Sequence, residues 1–219
     1  MKLTPIACAI ALGLTFGTAT PLFAADSPAA APAPATATAA PAAPKLHAAM
    51  RSLWQGHIHH TRDYAVAVKA GNAAAATKAA DEVVSNAKEI ANAVGGFYGA
   101  PAGEQMLTLL AGHWGGVKAM TDAEHAGDSA GVNKAMNDLT ANSDAIAKFL
   151  SGANPYLPND AVRGLMMAHV AHHSAQIREI MSGDTKGEAT TWKAMQAHMN
   201  TLADALSGGI AQQFPDKAS

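Results

Sequence analysis

Residues 53–57 read LWQGH, and closely related pentapeptides return twice along the chain. They are LLAGH at residues 109–113 and LMMAH at residues 165–169, so the terminal histidines are spaced by 56 residues. Other positions keep the same offset without gaps, including a glycine 14 residues after each histidine. A fixed period shared by several positions indicates an internal structural repeat.

Each repeat has the pattern of a helical hairpin. An Ala-rich helical segment precedes the repeated glycine, and a second helical segment follows it. Glycine suits the left-handed position after a helix, and the Asn or Asp that follows it can cap the next helix. Segments rich in Gly and Pro, at residues 95–101, 151–158 and 207–209, separate the repeats. The sequence therefore predicts an all-α fold of three tandem 56-residue hairpins, with six helices.

The repeated histidines share a helix face with apolar residues. Each lies four residues after a leucine and seven after a methionine or valine, which is helical spacing. A face with Leu and Met in every copy faces the core, so the histidines are predicted to be buried. They are His57, His113 and His169.

Three hairpins can be arranged in two ways. They can close into a six-helix bundle with pseudo-threefold symmetry, or they can stack as a short α-solenoid. Closure brings the three histidines to one point, whereas a solenoid holds them about 10 Å apart, the spacing of packed helices. We favour closure, because three repeats make a poor solenoid without polar capping units.

Three neutral imidazoles at one point would hold Zn, Cu or Fe and leave a fourth coordination position open. Residues equally far from the turn of an antiparallel hairpin face each other, so each histidine has a predicted partner on the second helix. An amide oxygen there would accept the other ring N–H and fix the tautomer. The partners are Asn86, Asn142 and His198, of which His198 is either a partner or an added ligand.

Further histidines lie three or four residues from the repeated ones. His57 with His60, and His169 with His172 or His173, share a helix face at chelating spacing. Such pairs occur both in metal sites and on solvated helix faces, and both interpretations stay open here.

Three functions are compatible with these features. The first is a helical metal-binding protein with a buried three-histidine site. The second is a metal-dependent enzyme that uses the open coordination position, although no catalytic carboxylate pair, phosphate loop or nucleophile elbow is present in the sequence. The third is a non-metal helical scaffold or small-molecule-binding protein whose histidines hold the hairpins together.

The start of the chain has the features of a signal peptide. Residues 1–25 contain Lys2, then a short apolar run, then small residues, and the run is too short for a good membrane span. Residues 26–44 are almost only Ala, Pro, Thr and Ser, as in a disordered linker. We expect a single helical domain over residues 45–219, periplasmic or secreted, with no transmembrane anchor in the mature chain.

Composition excludes several kinds of site. Cys8, within the predicted leader, is the only cysteine, so the mature chain would have no disulfide, thiolate metal site or c-type haem attachment. The net charge is −2, with charges of both signs interspersed, so no nucleic-acid partner is expected. The predicted partner is a metal ion, and the sequence leaves protein partners open.

From Leu53 to Pro215 the chain resembles a family of small, uncharacterised helical bacterial proteins. The resemblance implies that the three repeated histidines belong to a shared pattern, and that His172, His173 and His198 are particular to this chain. The matching pieces are LWxxH at residues 53–57 with Thr61-Arg62, FYG at 97–99, His113, NPYLP at 154–158, His169 and QQFP at 212–215.

A second, shorter resemblance concerns residues 169–176, which read HVAHHSAQ. This run is similar to the last helix of DinB-like metal-binding bundles, in which an H-x-x-x-H pair and a following Gln occur. The resemblance implies a metal-binding role for this helix.

Overall fold

The computed structural model describes residues 43–218. The predicted signal peptide, and residues 26–42 of the predicted linker, lie outside this range. The described residues form seven helices and no strand, which confirms the all-α prediction. The helices are α1 Pro44–Lys69, α2 Ala73–Tyr98, α3 Ala100–Ala126, α4 Ser129–Ala153, α5 Asn159–Ser182, α6 Thr185–Gln213 and the short α7 Pro215–Ala218. In this part of the chain, no helix combines the length and the apolar character needed to cross a membrane.

The three hairpin turns have the predicted local chemistry. Each repeated glycine has a positive φ, between 65° and 80°. The next residue caps the following helix, because its side chain accepts a hydrogen bond from the backbone N–H three residues on. The three caps are Asn72 to Ala75, 3.0 Å, Asp128 to Gly131, 3.0 Å, and Asp184 to Gly187, 2.9 Å.

The Gly-rich breaks between hairpins were only partly predicted. The first shrinks to Gly99, with φ 93°, because α2 runs to Tyr98. The third, at residues 207–209, is wrong, since α6 continues through it to Gln213. A Cβ added at Gly209 would lie 2.6 Å from Leu157 Cδ2. Here the glycine serves close packing of a helix, and no turn forms.

The histidine-bearing helices meet one another within the bundle formed by the described helices. Each long helix contacts the next, α1 also contacts α6, and α1, α3 and α5 contact one another in all three pairs. In a solenoid each repeat would touch only its sequence neighbours. Two apolar clusters lie along these helices, one on each side of the histidines: in α1 the first contains Met50 and Trp54, and the second contains Tyr64. The histidines therefore lie between two apolar layers.

Candidate metal centre

Four histidines, one more than predicted, come together where α1, α3 and α5 meet. His57 is 2% exposed, His113 1%, His169 0% and His173 1%. One ring nitrogen from each lies within 4.8 Å of the others. His57 and His113 come from α1 and α3, while α5 supplies both His169 and His173, which are one helical turn apart.

The four rings are arranged as a pyramid. The ring centroids of His57, His113 and His169 are 5.9, 5.6 and 5.3 Å apart, close to an equilateral triangle. His173 lies 4.3 Å from His169 and about equally far, 6.0 and 6.1 Å, from the other two. In a square-planar ligand set, any three ligands would include one pair separated by the longer diagonal. The three nearly equal distances are therefore closer to a tetrahedral ligand set.

The His113 ring has a fixed tautomer. Asn142 Nδ2 donates to the Leu109 carbonyl at 2.9 Å, so its Oδ1 faces His113 Nδ1 at 3.3 Å. An amide oxygen can only accept, so His113 Nδ1 carries the hydrogen. His113 Nε2 then has a free lone pair, and it has no hydrogen-bond partner among the described residues. This is the predicted histidine–asparagine pair, and it leaves Nε2 as the nitrogen of His113 that can bind an ion.

The first hairpin has the equivalent residues, His57 and Asn86, but no hydrogen bond between their side chains. Asn86 Nδ2 donates to the Leu53 carbonyl at 3.0 Å. Asn86 Oδ1 is buried and has no partner in the described part of the chain, and both ring nitrogens of His57 are in the same state. The predicted bond between the two side chains is therefore not formed.

In the third hairpin, His169 Nε2 lies 3.1 Å from His173 Nε2, and His169 Nδ1 is buried without a partner in the range that the structure covers. His198 does not join the four histidines as a ligand. Its Nε2 donates to the Leu165 carbonyl at 2.9 Å instead.

Burial keeps the four imidazoles neutral. Desolvation lowers the pKa of His57 to about 3 and that of His113 to about 4. It also lowers the pKa of His169 and of His173 well below the usual value, and the neighbouring histidines add to this effect. Neutral imidazole is the form that binds a metal, so the cluster is ready for an ion at neutral pH.

Two further predicted residues lie outside the cluster. His60 Nδ1 lies 3.4 Å from Glu82 Oε2, on the α2 side of α1. The His172 ring contacts that of His198, with centroids 5.3 Å apart. The structure places neither ring with the four buried ones.

One polar group near the cluster was missed by the sequence analysis. Arg62 Nε and Nη2 donate to the two carboxylate oxygens of Glu188 at 2.7 and 3.1 Å. Gln176, 2% exposed and one turn beyond His173, donates to Glu188 Oε1 at 3.0 Å. The signal was a departure from the repeat, because the equivalent positions in the other hairpins are Tyr64 and Met120 for Gln176, and Ala76 and Val132 for Glu188.

A Ser–His–Asp grouping at the other end of the hairpins is not a nucleophile triad. His47 Nδ1 lies 2.8 Å from Ser207 Oγ and 3.3 Å from Asp204 Oδ1. A triad uses the two different ring nitrogens for serine and aspartate. Since both contacts here use Nδ1, the grouping joins α1 to α6.

Comparison with known proteins gave no match to this chain among protein-family models, curated proteins or solved structures. The functional argument therefore depends on the geometry of the four histidines.

Proposed function

We propose that this protein binds one transition-metal ion through His57, His113, His169 and His173. The observation that carries the proposal is the burial of four imidazoles, each at most 2% exposed, with ligand atoms within 4.8 Å of one another. The ligand set of three histidines predicted from the sequence becomes four because His173 lies with the others.

The free energy of the metal-free site supports this proposal over a purely structural role. A buried polar atom without a partner costs about 1–3 kcal/mol. His57 Nδ1, His57 Nε2 and His113 Nε2 are all in this state within the described range, and the two rings lie 5.9 Å apart between two apolar layers. A bound ion would satisfy one nitrogen of each ring at once.

The chemistry of the ligands favours Zn(II). The four ligands are all imidazoles in a pyramidal arrangement, and zinc takes four nitrogen ligands at about 2.0–2.1 Å with tetrahedral geometry. Imidazole also suits copper and iron, so Cu and Fe(II) are the other outcomes of a metal analysis.

We favour binding over catalysis. Four protein ligands complete a tetrahedral zinc site, whereas catalytic zinc sites keep one position open for water or substrate. Each ligand is also almost completely shielded from solvent. The metal-dependent enzyme proposed from three ligands therefore has less support than a protein that holds its ion.

The proposal includes a closed bundle with pseudo-threefold symmetry around the ion. Its support is the mutual contact of α1, α3 and α5, the contact of α1 with α6, and the nearly equal spacing of the three repeated rings. In this proposal the symmetry relates the three repeated histidines, and His173 has no counterpart in the other hairpins.

We further propose that the protein acts outside the inner membrane, in the periplasm or the medium. The support is the signal-peptide pattern of residues 1–25. Amino-terminal sequencing of the protein from fractionated cells tests this: we expect a start near residue 25 in the envelope or medium, and an intact chain in the cytosol would contradict it.

Elemental analysis of protein purified without an affinity tag or chelator tests metal binding. We expect about one metal ion per chain in the wild type, on the one-ion site proposed, and loss of this ion in the triple variant H57A/H113A/H169A. The matched control is H60A/H172A, which removes two histidines outside the cluster and should keep the ion. A wild type that is metal-free and takes up none of Zn(II), Cu(II) or Fe(II) on titration would contradict metal binding and support the non-metal scaffold.

A further inference from the structure

We propose that Asn86, Asn142 and His198 are three equivalent positioning residues, and that they make the repeated histidines bind metal through Nε2. Each anchors itself to a leucine carbonyl of the facing helix and presents an acceptor to a histidine Nδ1–H. This inference rests on the proposed function and assigns the binding atom of each ligand.

The anchoring hydrogen bond is the same in all three hairpins. In each case a side-chain N–H donates to the carbonyl of the leucine 33 residues earlier, which is the leucine four residues before the repeated histidine. The three bonds are Asn86 to Leu53 at 3.0 Å, Asn142 to Leu109 at 2.9 Å and His198 to Leu165 at 2.9 Å.

His198 can replace asparagine because its two nitrogens have different roles. The Leu165 carbonyl only accepts, so His198 Nε2 must carry the hydrogen. In the neutral ring, Nδ1 is then an acceptor. One ring thus supplies a donor at one end and an acceptor at the other, as an amide does. The hydrogen-bonded partner of His198 Nδ1 would be His169 Nδ1–H, which is buried and unpartnered within residues 43–218.

In the first two hairpins the facing helix leaves room for the positioning asparagine. A Cβ added at Gly56 would lie 3.1 Å from Asn86 Nδ2, and one added at Gly112 would lie 3.0 Å from Asn142 Nδ2. Contacts this short require the neighbour to shift, so the two glycines suit the amides. The third hairpin has Ala168 at this position, together with an imidazole in place of the amide.

The second hairpin shows the completed arrangement. His113 Nδ1 already donates to Asn142 Oδ1, and Nε2 is free. In the first hairpin, Asn86 Oδ1 and His57 Nδ1 both lack a partner among the described residues. The ligand atoms spread over as much as 4.8 Å, whereas zinc–nitrogen bonds of about 2.0–2.1 Å hold tetrahedral ligands about 3.3 Å apart. Metal binding would therefore require the rings to move inward, and a His57 ring that turns Nε2 toward the ion would present Nδ1 to the unpartnered Asn86 Oδ1.

Zn(II) affinity, measured by competition with a chromophoric chelator, tests the positioning role. Loss of an outer partner of a metal ligand typically weakens binding about 10–100-fold, and we expect this for H198L. The double variant A168G/H198N recreates the glycine–asparagine pair of the other hairpins and should avoid the loss of about 10–100-fold expected for H198L. The matched control H172N changes the ring beside His198 and should leave the affinity unchanged. Wild-type affinity in H198L would overturn the inference while metal binding itself stands; a wild type that binds none of Zn(II), Cu(II) or Fe(II) would overturn the proposed function.

Nitrogen NMR of the ring tautomers gives a readout that a merely structural role would not produce. In zinc-loaded wild type, we expect Nδ1–H with metal-bound Nε2 for the three repeated histidines, and Nε2–H for His198. The His198 tautomer is expected in metal-free protein as well, so this part stands apart from metal binding. Coordination of any repeated histidine through Nδ1 would overturn the inference, even if the leucine variant does not fold.

Discussion

His173 lies at a position where the other two hairpins have Thr61 and Val117. It is the proposed ligand that breaks the repeat, and it adds a fourth imidazole to the three that the repeat supplies. Its Nε2 is 3.1 Å from His169 Nε2, close to the separation of about 3.3 Å expected for two ligands of a tetrahedral zinc ion. The third hairpin is therefore specialised for the site.

Replacing His173 by the residue of the second hairpin tests its role as a ligand. We expect H173V to weaken Zn(II) binding by more than the factor of about 10–100 typical of losing an outer partner. X-ray absorption should show three imidazole ligands instead of four. H172V, at the preceding residue, is the control and should keep the wild-type Zn(II) affinity and the four imidazole ligands. Four imidazoles in H173V would show that another histidine completes the site.

The ion pair of Glu188 with Arg62 is expected to stabilise the fold. Arg62 lowers the pKa of Glu188, and Gln176 donates to the same carboxylate. E188Q removes the charge from a nearly buried group, so we expect a loss of about 1–3 kcal/mol in the free energy of unfolding. Urea denaturation measures it, with E89Q at an exposed position as the control, expected within about 0.5 kcal/mol of wild type. An unchanged stability for E188Q would contradict this assignment.

At this scale the sequence predicted the residues that follow the repeat. Burial of His57, His113 and His169 follows from helical spacing among Leu and Met, and it is confirmed. Helical spacing alone could not separate His173 from His172 and His60, because all lie within one turn of a repeated histidine; the resemblance of residues 169–176 to an H-x-x-x-H helix was the only signal for the His169–His173 pair. Only the rotation of the helix and the neighbouring chains decide which ring points inward. The bond from His113 to Asn142 was predicted by counting from the turn, but whether a ring rotates into hydrogen-bond contact depends on a side-chain torsion that residue spacing does not determine.

The hairpin turns and the predicted inter-hairpin breaks show which helix ends are determined by the local sequence. A Gly-Asn or Gly-Asp turn contains its own left-handed residue and its own cap, so the sequence suffices. Glycines at residues 95 and 209 were interpreted as breaks by the same rule. Their cause is non-local: Gly95 lies against Gly103 of the next helix, and Gly209 lies against Leu157.

An alanine at position 209 tests this interpretation. The added Cβ would overlap Leu157, which is buried, so we expect G209A to lower the free energy of unfolding by about 1–3 kcal/mol. G152A is the matched control, because nothing lies within 4 Å of a Cβ at this helical glycine. It should be neutral or stabilising by up to about 1 kcal/mol. Equal effects of the two variants in chemical denaturation would argue against close packing at Gly209.

For the whole molecule, the buried histidines predict acid sensitivity of the metal-free protein. The pKa of His57 is about 3 in the folded chain and 6.5 as its ordinary value. Between these values the unfolded chain binds more protons than the folded chain, so the free energy of unfolding rises with pH. The contribution of neutral His57 to stability is complete above about pH 6.5 and is lost as the pH falls toward 3. Urea midpoints from pH 7.5 down to pH 4 measure the loss. H57N should make the profile shallower, because His113, His169 and His173 still contribute, whereas H59Q, at an exposed histidine, should keep it; a flat wild-type profile would contradict the buried neutral state.

Metal should stabilise the whole fold, because the ligands come from all three hairpins. A ligand at 100 times its Kd adds about 2.7 kcal/mol to the stability of the form that binds it. For a domain of this size we expect the Tm to rise by about 5–10 °C with saturating Zn(II). H57A/H113A/H169A should show no rise, and H60A/H172A should behave as wild type in the same calorimetric scan. A Tm that is independent of zinc in the wild type would place the ion outside the folded core or exclude it.

Closure of the site has a consequence for its kinetics. With every ligand at most 2% exposed, an ion reaches or leaves the four rings only when α1, α3 and α5 separate. Ion exchange is then as slow as this opening motion, however fast ligand substitution at zinc is in water. The release rate should therefore match the rate at which amide hydrogens in the middle of these helices become exchangeable. Metal release would then report how often the helix bundle opens.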